Sequence, residues 1–128
     1  MTIADETTTA NAEPVVTVAP ATPTIGAYVE GVDLAHLDDQ TWAAVESAFA
    51  THSVLFFRDQ DLSPDAHEAL GRRLGELHVH PSAPALDGHP NVMIIHADEN
   101  SRVVAGNGWH TDVSCDEPPP MATILHLT

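Results

Sequence analysis

The chain has 128 residues, which suits one domain, and it carries 19 acidic residues against four basic ones, for a formal net charge of −15. This charge disfavours nucleic acid as a partner. A small anionic substrate stays compatible with it, because a metal ion or one well-placed cation inverts the potential inside a pocket. No apolar run approaches the ~20 residues that span a bilayer, so we expect no membrane association. The single cysteine and the lack of an export signal predict a cytoplasmic protein.

The start of the folded domain is predicted from composition. Residues 1–23 are rich in Thr, Ala and Pro, and they contain acidic side chains but no aromatic ring. Such a segment buries too little apolar surface to offset the entropy of ordering, so we expect a disordered acidic tail. The folded domain is then expected to occupy residues 24–128.

The first half of this domain predicts a strand, a helix and a second strand. Apolar and other residues alternate over 25–29, which favours a short strand. A helix is expected to begin after Asp38 or Asp39, because apolar residues then recur at spacings of three and four. The continuous apolar run Val54–Phe57 predicts a strand that is buried on both faces.

The second half predicts another helix and two further strands. Ser63 is suited to the N-cap of this helix, and Gly75 is expected just past its end. The strands are expected at Val92–Ile95 and Met121–Leu127. The mixed order of elements favours an α+β fold, with helices packed against a largely antiparallel sheet.

The tripeptide His-x-Asp occurs three times, beginning at His36, His96 and His110. A ferrous oxygenase site needs two imidazoles and one carboxylate on one face of the metal, and extended backbone places residues i and i+2 on the same side. With nine histidines and 11 aspartates in 128 residues, about one such tripeptide is expected by chance, so their context must discriminate among them.

The contexts of the three tripeptides differ. Asp38 stands where a helix N-cap is expected, which commits its carboxylate to backbone amides. The tripeptide at His96 ends a predicted strand and stays an alternative. The pair His110 and Asp112 follows a glycine-containing loop and Trp109, whose indole can shield a metal from water. This pair is therefore the preferred metal site.

A second histidine motif is His78-Val79-His80. In extended backbone the two rings share a face, so they predict either a metal pair, as in cupin-like modules, or the polar edge of a strand. Other catalytic classes have less support. No phosphate-binding loop is present, and nothing identifies a base for Cys115.

The chain from Thr24 to Leu127 resembles the N-terminal part of the taurine dioxygenase (TauD/TfdA) family of Fe(II)/2-oxoglutarate-dependent dioxygenases. Several segments in the order of the family are more specific than any one motif. The segments that carry the resemblance are Ile25-Gly26-Ala27, Gly31–Leu34, Val54–Gln60, Gly75–Pro81 and Trp109–Val113.

The resemblance implies a fold and a set of site residues. The fold would be mainly β with flanking helices, a double-stranded β-helix (jelly roll) that is incomplete in this chain. His110 and Asp112 would bind iron, and His80 would bind substrate, with Asn107 as a further candidate. Ala83 stands where the family has a substrate-binding tyrosine, so an alkyl sulfonate, an alkyl sulfate or another small acid is as well supported as taurine.

The resemblance also implies cofactors and partners. These are Fe(II), 2-oxoglutarate as cosubstrate, dioxygen and a small anionic organic substrate. The third iron ligand and the residues that bind 2-oxoglutarate are expected beyond Thr128, so we expect a truncated chain that is inactive alone. The alternatives are a catalytically inactive dioxygenase fragment and a cupin-like metal-binding module that uses His78, His80 and His110. Unpaired strand edges would favour a homo-oligomer.

Overall fold

The computed structural model describes residues 16–81, 83–102 and 108–128. Within these ranges the chain forms two compact units, one that ends at Asp59 and one that begins at Gln60. Each unit contains one small sheet and one α-helix.

The first unit is a three-stranded sheet with one helix. Its strands are β1 (Thr17–Pro20), β2 (Ala27–Glu30) and β3 (Leu55–Phe57), in the order β1-β2-β3. β1 runs antiparallel to β2, whereas β3 runs parallel to β2. A parallel neighbour needs a crossover connection, and α1 (Asp39–His52) supplies it. This sheet is therefore mixed, with one antiparallel and one parallel pairing.

The helix α1 has Asp38 as its N-cap and Ser53 as its C-cap. The side chain of Asp38 accepts a hydrogen bond from the backbone N–H of Thr41 at 2.6 Å, which satisfies one donor of the first turn. The helix ends at Ser53, whose backbone is left-handed with a φ of 64°. Val45 and Ala48 are buried on the face that packs against β2 and β3. The predicted helix and its N-cap are confirmed.

The structured part of the first unit begins earlier than predicted. Composition predicts a disordered tail that includes residues 17–20, but these residues form β1, which pairs with β2 from Thr17 opposite Glu30 to Pro20 opposite Ala27. All four side chains of β1 are exposed, so backbone pairing, not burial, holds this strand. Composition alone does not indicate such a strand. Residues 1–15 lie outside the described residues.

The apolar run at Val54–Phe57 has one exposed face, so its prediction as a strand buried on both faces is wrong. Phe56 is 46% exposed and packs against Tyr28, with the ring centroids 5.3 Å apart. The guanidinium of Arg58 lies 5.4 Å from the centroid of the Tyr28 ring. A single helix covers a single face of this sheet, and the aromatic pair occupies the other face.

The second unit contains α2 (Pro64–Leu74) and a two-stranded antiparallel sheet of β4 (Ala85–Leu86) and β5 (His89–Met93). The hydroxyl of Ser63 accepts a hydrogen bond from the N–H of Ala66 at 3.2 Å, and the helix ends at Gly75. The predicted helix and both of its ends are confirmed. α2 packs against β5, and Leu70 is its buried residue.

Two strands of the second unit differ from their predictions. The strand predicted at Val92–Ile95 ends at Met93, and Ile94 and Ile95 are 45% and 44% exposed. The segment 121–127 forms no strand in the described chain. A β-strand needs a neighbour for its backbone N–H and C=O groups, and no described segment pairs with this one.

The α+β class is confirmed, but the described residues are not mainly β. The two helices have 14 and 11 residues, whereas the five strands have two to five residues each. Among the described residues, no helix combines the length and apolar character that crossing a bilayer requires.

Candidate metal centre

The structure brings together the two side chains of the preferred His-x-Asp pair. Nε2 of His110 lies 3.2 Å from Oδ1 of Asp112, and both side chains are about half exposed. Two ligands bound at about 2.1 Å and near a right angle are about 3.0–3.2 Å apart. The pair thus has the separation of two adjacent ligands of one metal ion.

The other ring nitrogen of His110 is already engaged. Nδ1 lies 2.7 Å from the carbonyl oxygen of Gly108, a distance at which Nδ1 donates its proton. A neutral ring with its proton on Nδ1 presents the lone pair of Nε2 toward Asp112. This arrangement is the usual one for a metal-binding histidine, in which a backbone carbonyl fixes the tautomer.

The backbone turns directly after Asp112, and the β-favouring stretch that the sequence predicts at residues 109–114 forms no strand. Val113 has a φ of 46°, which β-branched residues rarely adopt, and the N–H of Asp116 donates to the carbonyl of Val113 at 3.2 Å. The hydroxyls of Thr111 and Ser114 lie 2.6 Å apart across this turn. The tight turn thus follows the pair directly, and neither His110 nor Asp112 lies in a strand.

The rival pair at His96 and Asp98 is held differently. Asp98 Oδ1 accepts hydrogen bonds from the hydroxyl of Ser101 and from the N–H of Asn100, both at 2.9 Å. The hydroxyl of Ser101 and the backbone N–H of Asn100 lower the pKa of Asp98. His96 Nε2 lies 3.8 Å from Asp98 Oδ2. The Asp98 carboxylate thus closes a local turn, and its separation from His96 is longer than that of two ligands near a right angle.

His36 and Asp38 contact different partners, and Asp38 is the helix N-cap that the sequence predicts. Asp38 caps α1, whereas the ring of His36 donates from Nδ1 to Asp33 at 2.9 Å. This hydrogen bond is the main cause of the lowered pKa of Asp33. Of the three tripeptides, the one at His110 brings its imidazole and carboxylate closest together, at 3.2 Å.

His80 is a part-buried ring whose tautomer the backbone selects. The N–H of Ala83 donates to Nδ1 of His80 at 3.1 Å. Because Nδ1 accepts this hydrogen bond, the proton of a neutral ring lies on Nε2. His80 can therefore present an N–H donor at Nε2, which suits an anionic oxygen.

His78 lies two residues earlier and contacts two other segments of the same unit. Its backbone carbonyl accepts a hydrogen bond from Nδ2 of Asn91, on β5, at 3.3 Å. Its ring Nδ1 lies 3.9 Å from Oδ2 of Asp116, and its Nε2 is buried without a hydrogen-bond partner among the described residues. The spacing of residues in the sequence does not identify Asn91 or Asp116 as partners of His78, because both are far from His78 along the chain.

Of three further predictions about the candidate site, two can be compared with the described residues. Trp109 is fully exposed, so it does not shield the pair from water within the described chain. Asn107 lies outside the described residues. Residues 16–81, 83–102 and 108–128 contain no group of three His, Cys, Asp or Glu side chains that could hold a metal ion, so His78, His80 and His110 do not form the cupin-like set.

Comparisons with known proteins converge on one family. Residues 17–128 match the family model described as taurine catabolism dioxygenase TauD, TfdA family. The chain is 37% identical over 110 residues to an alpha-ketoglutarate-dependent sulfate ester dioxygenase of Pseudomonas putida, which covers 84% of this chain and 36% of that protein. It is 32% identical over 117 residues to an alpha-ketoglutarate-dependent sulfonate dioxygenase of Saccharomyces cerevisiae, which covers 83% and 28%, respectively.

A solved structure gives the same result. The crystal structure of a taurine dioxygenase from Burkholderia xenovorans matches with a TM-score of 0.65 and 34% sequence identity, over 83% of this chain and 38% of that one. The chain thus spans about a third of the length of the relatives that it matches. The cosubstrate of these dioxygenases is 2-oxoglutarate and their cofactor is Fe(II). The match over residues 17–128 shows that the chain belongs to the TauD/TfdA family of alpha-ketoglutarate-dependent dioxygenases.

Proposed function

We propose that this chain contributes His110 and Asp112 to the Fe(II) centre of a 2-oxoglutarate-dependent dioxygenase that acts on a small sulfonate or sulfate ester. The observation that carries the proposal is the separation of 3.2 Å between His110 Nε2 and Asp112 Oδ1, together with the bond from His110 Nδ1 to the Gly108 carbonyl. This geometry supports two adjacent ligands with a fixed imidazole tautomer.

The chemistry of such a site divides between the metal and the protein. Fe(II) bound with 2-oxoglutarate would supply the use of dioxygen, in which one oxygen atom hydroxylates a substrate C–H bond and the other enters succinate as 2-oxoglutarate loses CO2. The protein residues fix geometry: Gly108 orients the ring of His110, and the turn after Asp112 holds the carboxylate beside it. In a sulfonate the hydroxylated carbon would be the one bonded to sulfur, and in a sulfate ester the one bonded to the ester oxygen. The hydroxylated product would then release sulfite or sulfate, respectively, and leave an aldehyde.

We assign the anion of the substrate to His80. The backbone N–H of Ala83 holds the neutral ring as the Nε2–H tautomer, which donates a hydrogen bond to a sulfonate or sulfate oxygen without carrying a full charge. A chain with a net charge of −15 repels anions at long range, so recognition depends on such local donors and on the metal. Sulfate ester and sulfonate are the substrate classes in the names of the two relatives.

The proposal leaves the third ligand and the 2-oxoglutarate residues to the part of the family that this chain does not match. The described residues supply two ligands of a centre that needs two imidazoles and one carboxylate. The jelly-roll fold proposed for the complete domain would also pair the segment 121–127, where Met121, Leu125 and Leu127 are 67–81% exposed.

These same observations favour a second candidate, a chain that binds metal weakly and does not turn over substrate by itself. A pair of ligands that are each half exposed gives a poor site, because water competes for the remaining positions. The cupin-like module has no such support, since Nδ1 of His80 accepts a hydrogen bond from the backbone.

Metal titration of matched variants tests the assignment. Mn(II), a paramagnetic substitute for Fe(II), is added to the 128-residue chain while the histidine ring resonances are followed by NMR. We expect the His110 ring to broaden first, and His110→Ala or Asp112→Ala to weaken Mn(II) binding at least tenfold. His96→Ala is the matched control, because it removes one histidine from an identical tripeptide spacing and should leave the affinity within twofold. Equal loss in His96→Ala would contradict the assignment.

Anaerobic addition of Fe(II) and 2-oxoglutarate tests whether this chain binds both without further residues. A chelate of both produces a visible charge-transfer band, and we expect none from this chain alone at concentrations where His110 binds Mn(II). A full band would overturn the second candidate, because it would show that this chain holds Fe(II) and 2-oxoglutarate by itself, and it would support the dioxygenase assignment directly.

A further inference from the structure

The segment that carries His80 is held from two directions at His78. On one side the carbonyl of His78 accepts a hydrogen bond from Asn91, which fixes the backbone to the β4–β5 sheet. On the other side the ring of His78 faces the carboxylate of Asp116, which lies four residues beyond Asp112. A side-chain contact thus connects the segment of the proposed substrate residue to the loop of the proposed metal ligands.

The orientation of the His78 ring favours this contact. Nε2 is buried without a partner among the described residues, and a buried N–H donor without an acceptor is costly. The neutral ring therefore places its proton on Nδ1, toward Asp116. The distance of 3.9 Å between Nδ1 and Oδ2 exceeds a direct hydrogen bond, so the contact is a charge–dipole interaction or is bridged by one water.

Asp116 is itself tied to the metal loop. Its backbone N–H donates to the carbonyl of Val113, the residue after Asp112, across the turn with positive φ. Its side chain and that of His78 are 41% and 31% exposed, so the interaction is screened in part and a change at Asp116 should not unfold the unit.

We propose that Asp116 is a positioning residue that acts through His78 to hold His80 at a set distance from His110 and Asp112. This proposal rests on the proposed function, which assigns the substrate anion to His80 and the metal ion to His110 and Asp112. The expected effect can be measured without enzyme activity. Removal of the Asp116 carboxylate should loosen the ring of His78 and then the segment that follows, up to the hydrogen bond between Ala83 and His80.

The variant that tests this proposal is Asp116→Ala in the 128-residue chain, with Glu117→Ala as the matched control. Glu117 is the adjacent exposed acid, so the two variants lose the same charge within one residue of each other. Asp116→Glu serves as the rescue, because it restores a carboxylate on a longer side chain. Thermal unfolding should be similar for all three variants.

The first readout uses the chain without metal. In Asp116→Ala we expect the ring resonances of both His78 and His80 to shift, and the amide of Ala83 to exchange with solvent about two- to fivefold faster, a range that a weak exposed contact can supply. Glu117→Ala should leave all three unchanged. A shift of His78 without any change at His80 or Ala83 would overturn the positioning role.

The second readout measures geometry with Mn(II). At matched occupancy of the metal, the broadening of the His80 ring relative to the His110 ring should fall at least twofold in Asp116→Ala and recover in Asp116→Glu. The affinity for Mn(II) should stay within twofold, and that for butyl sulfate, titrated as the anion probe, should fall about two- to fivefold. Unchanged relative broadening would overturn the proposal.

The two proposals fail in distinguishable ways. If Mn(II) does not broaden the His110 ring at all, the metal assignment fails, and the experiment without metal still decides whether Asp116 orders the segment of His80. If His110 broadens normally but His80 responds equally to Asp116→Ala and Glu117→Ala, the metal assignment holds and the specific role of Asp116 is wrong.

Discussion

The backbone N–H of Ala83 donates to Nδ1 of His80 across 3.1 Å, so the ring proton of a neutral His80 lies on Nε2. The hydrogen bond thereby selects which atom of the ring can donate to a substrate anion. Protonation of Nδ1 would break this bond, because a protonated nitrogen can no longer accept.

This relationship predicts a difference between two conservative replacements of His80. The amide nitrogen of Gln reaches the position of Nε2 and can still donate to an anion, whereas the amide oxygen of Asn replaces Nδ1 and preserves only the contact with Ala83. We expect His80→Gln to bind butyl sulfate more tightly than His80→Asn, by at least about tenfold for one hydrogen bond to a charged group. Isothermal titration of the metal-loaded chain measures the difference, and Mn(II) affinity, which should be equal in both variants, is the control. The opposite order would show that Nδ1 is the functional atom.

A second prediction concerns the carboxylate of Asp98, whose pKa is lowered mainly by the hydroxyl of Ser101. A lowered pKa in the folded state contributes stability above the unfolded pKa, and this stability is lost as the pH falls through the folded pKa. We expect Ser101→Ala to raise the pKa of Asp98 toward its ordinary value of 3.8, as measured by carbon NMR of the carboxyl group. Ser114→Ala is the control, since Ser114 contacts Thr111, and it should leave Asp98 unchanged.

The helices show how much of the fold the sequence determines locally. Capping residues and apolar spacing act within a few positions, so Asp38 and Ser63 correctly predict the starts of both helices. The strands depend on partners that are distant in the chain. All residues of β1 are exposed, so no apolar pattern in the sequence predicts its pairing with β2. The apolar segment 121–127 has no strand partner among the described residues.

The candidate site shows the same division between local and distant information. The sequence favours His110 and Asp112 as the proposed metal pair, and the other two tripeptides use their carboxylates locally, since Asp38 caps α1 and Asp98 closes a turn. The tight turn at Val113 is not predictable from the sequence, since a β-branched residue with positive φ opposes local preference. Such a conformation is set by its surroundings and is common near functional sites.

The contrast between buried and exposed leucines gives a third prediction. Leu70 is 7% exposed on the face of α2 that packs against β5, whereas Leu125 is 69% exposed. We expect Leu70→Ala to lower the free energy of unfolding by about 2–5 kcal/mol, through lost burial and the cavity left behind. Leu125→Ala should change it by less than about 0.5 kcal/mol. Urea denaturation followed by circular dichroism compares the two. An equal loss in Leu125→Ala would mean that another surface covers that side chain in solution.

The last prediction concerns Glu68, which connects α2 to β5. One carboxylate oxygen accepts from Arg72 at 3.0 Å, and the other lies 3.6 Å from Nδ1 of His89. The side chains of Glu68 and His89 are only 11% and 22% exposed, and the two facing atoms are buried without a hydrogen-bond partner in the described part of the chain. Since 3.6 Å exceeds a normal hydrogen bond, the attraction between these groups is electrostatic and depends on their being shielded from water.

Replacement of Glu68 by Ala should therefore destabilise the unit more than loss of an ordinary surface acid. We expect a loss of about 1–3 kcal/mol in the free energy of unfolding, because His89 Nδ1 then stays buried with no acceptor nearby. Glu46→Ala is the matched control, since Glu46 is exposed within α1, and its effect should lie within about 0.5 kcal/mol of zero. Arg72→Ala should cost at most about 1 kcal/mol, because that side chain is 58% exposed. A double-mutant cycle of Glu68→Ala with His89→Ala isolates the pair, and additive effects would show that Glu68 stabilises α2 alone and does not hold β5.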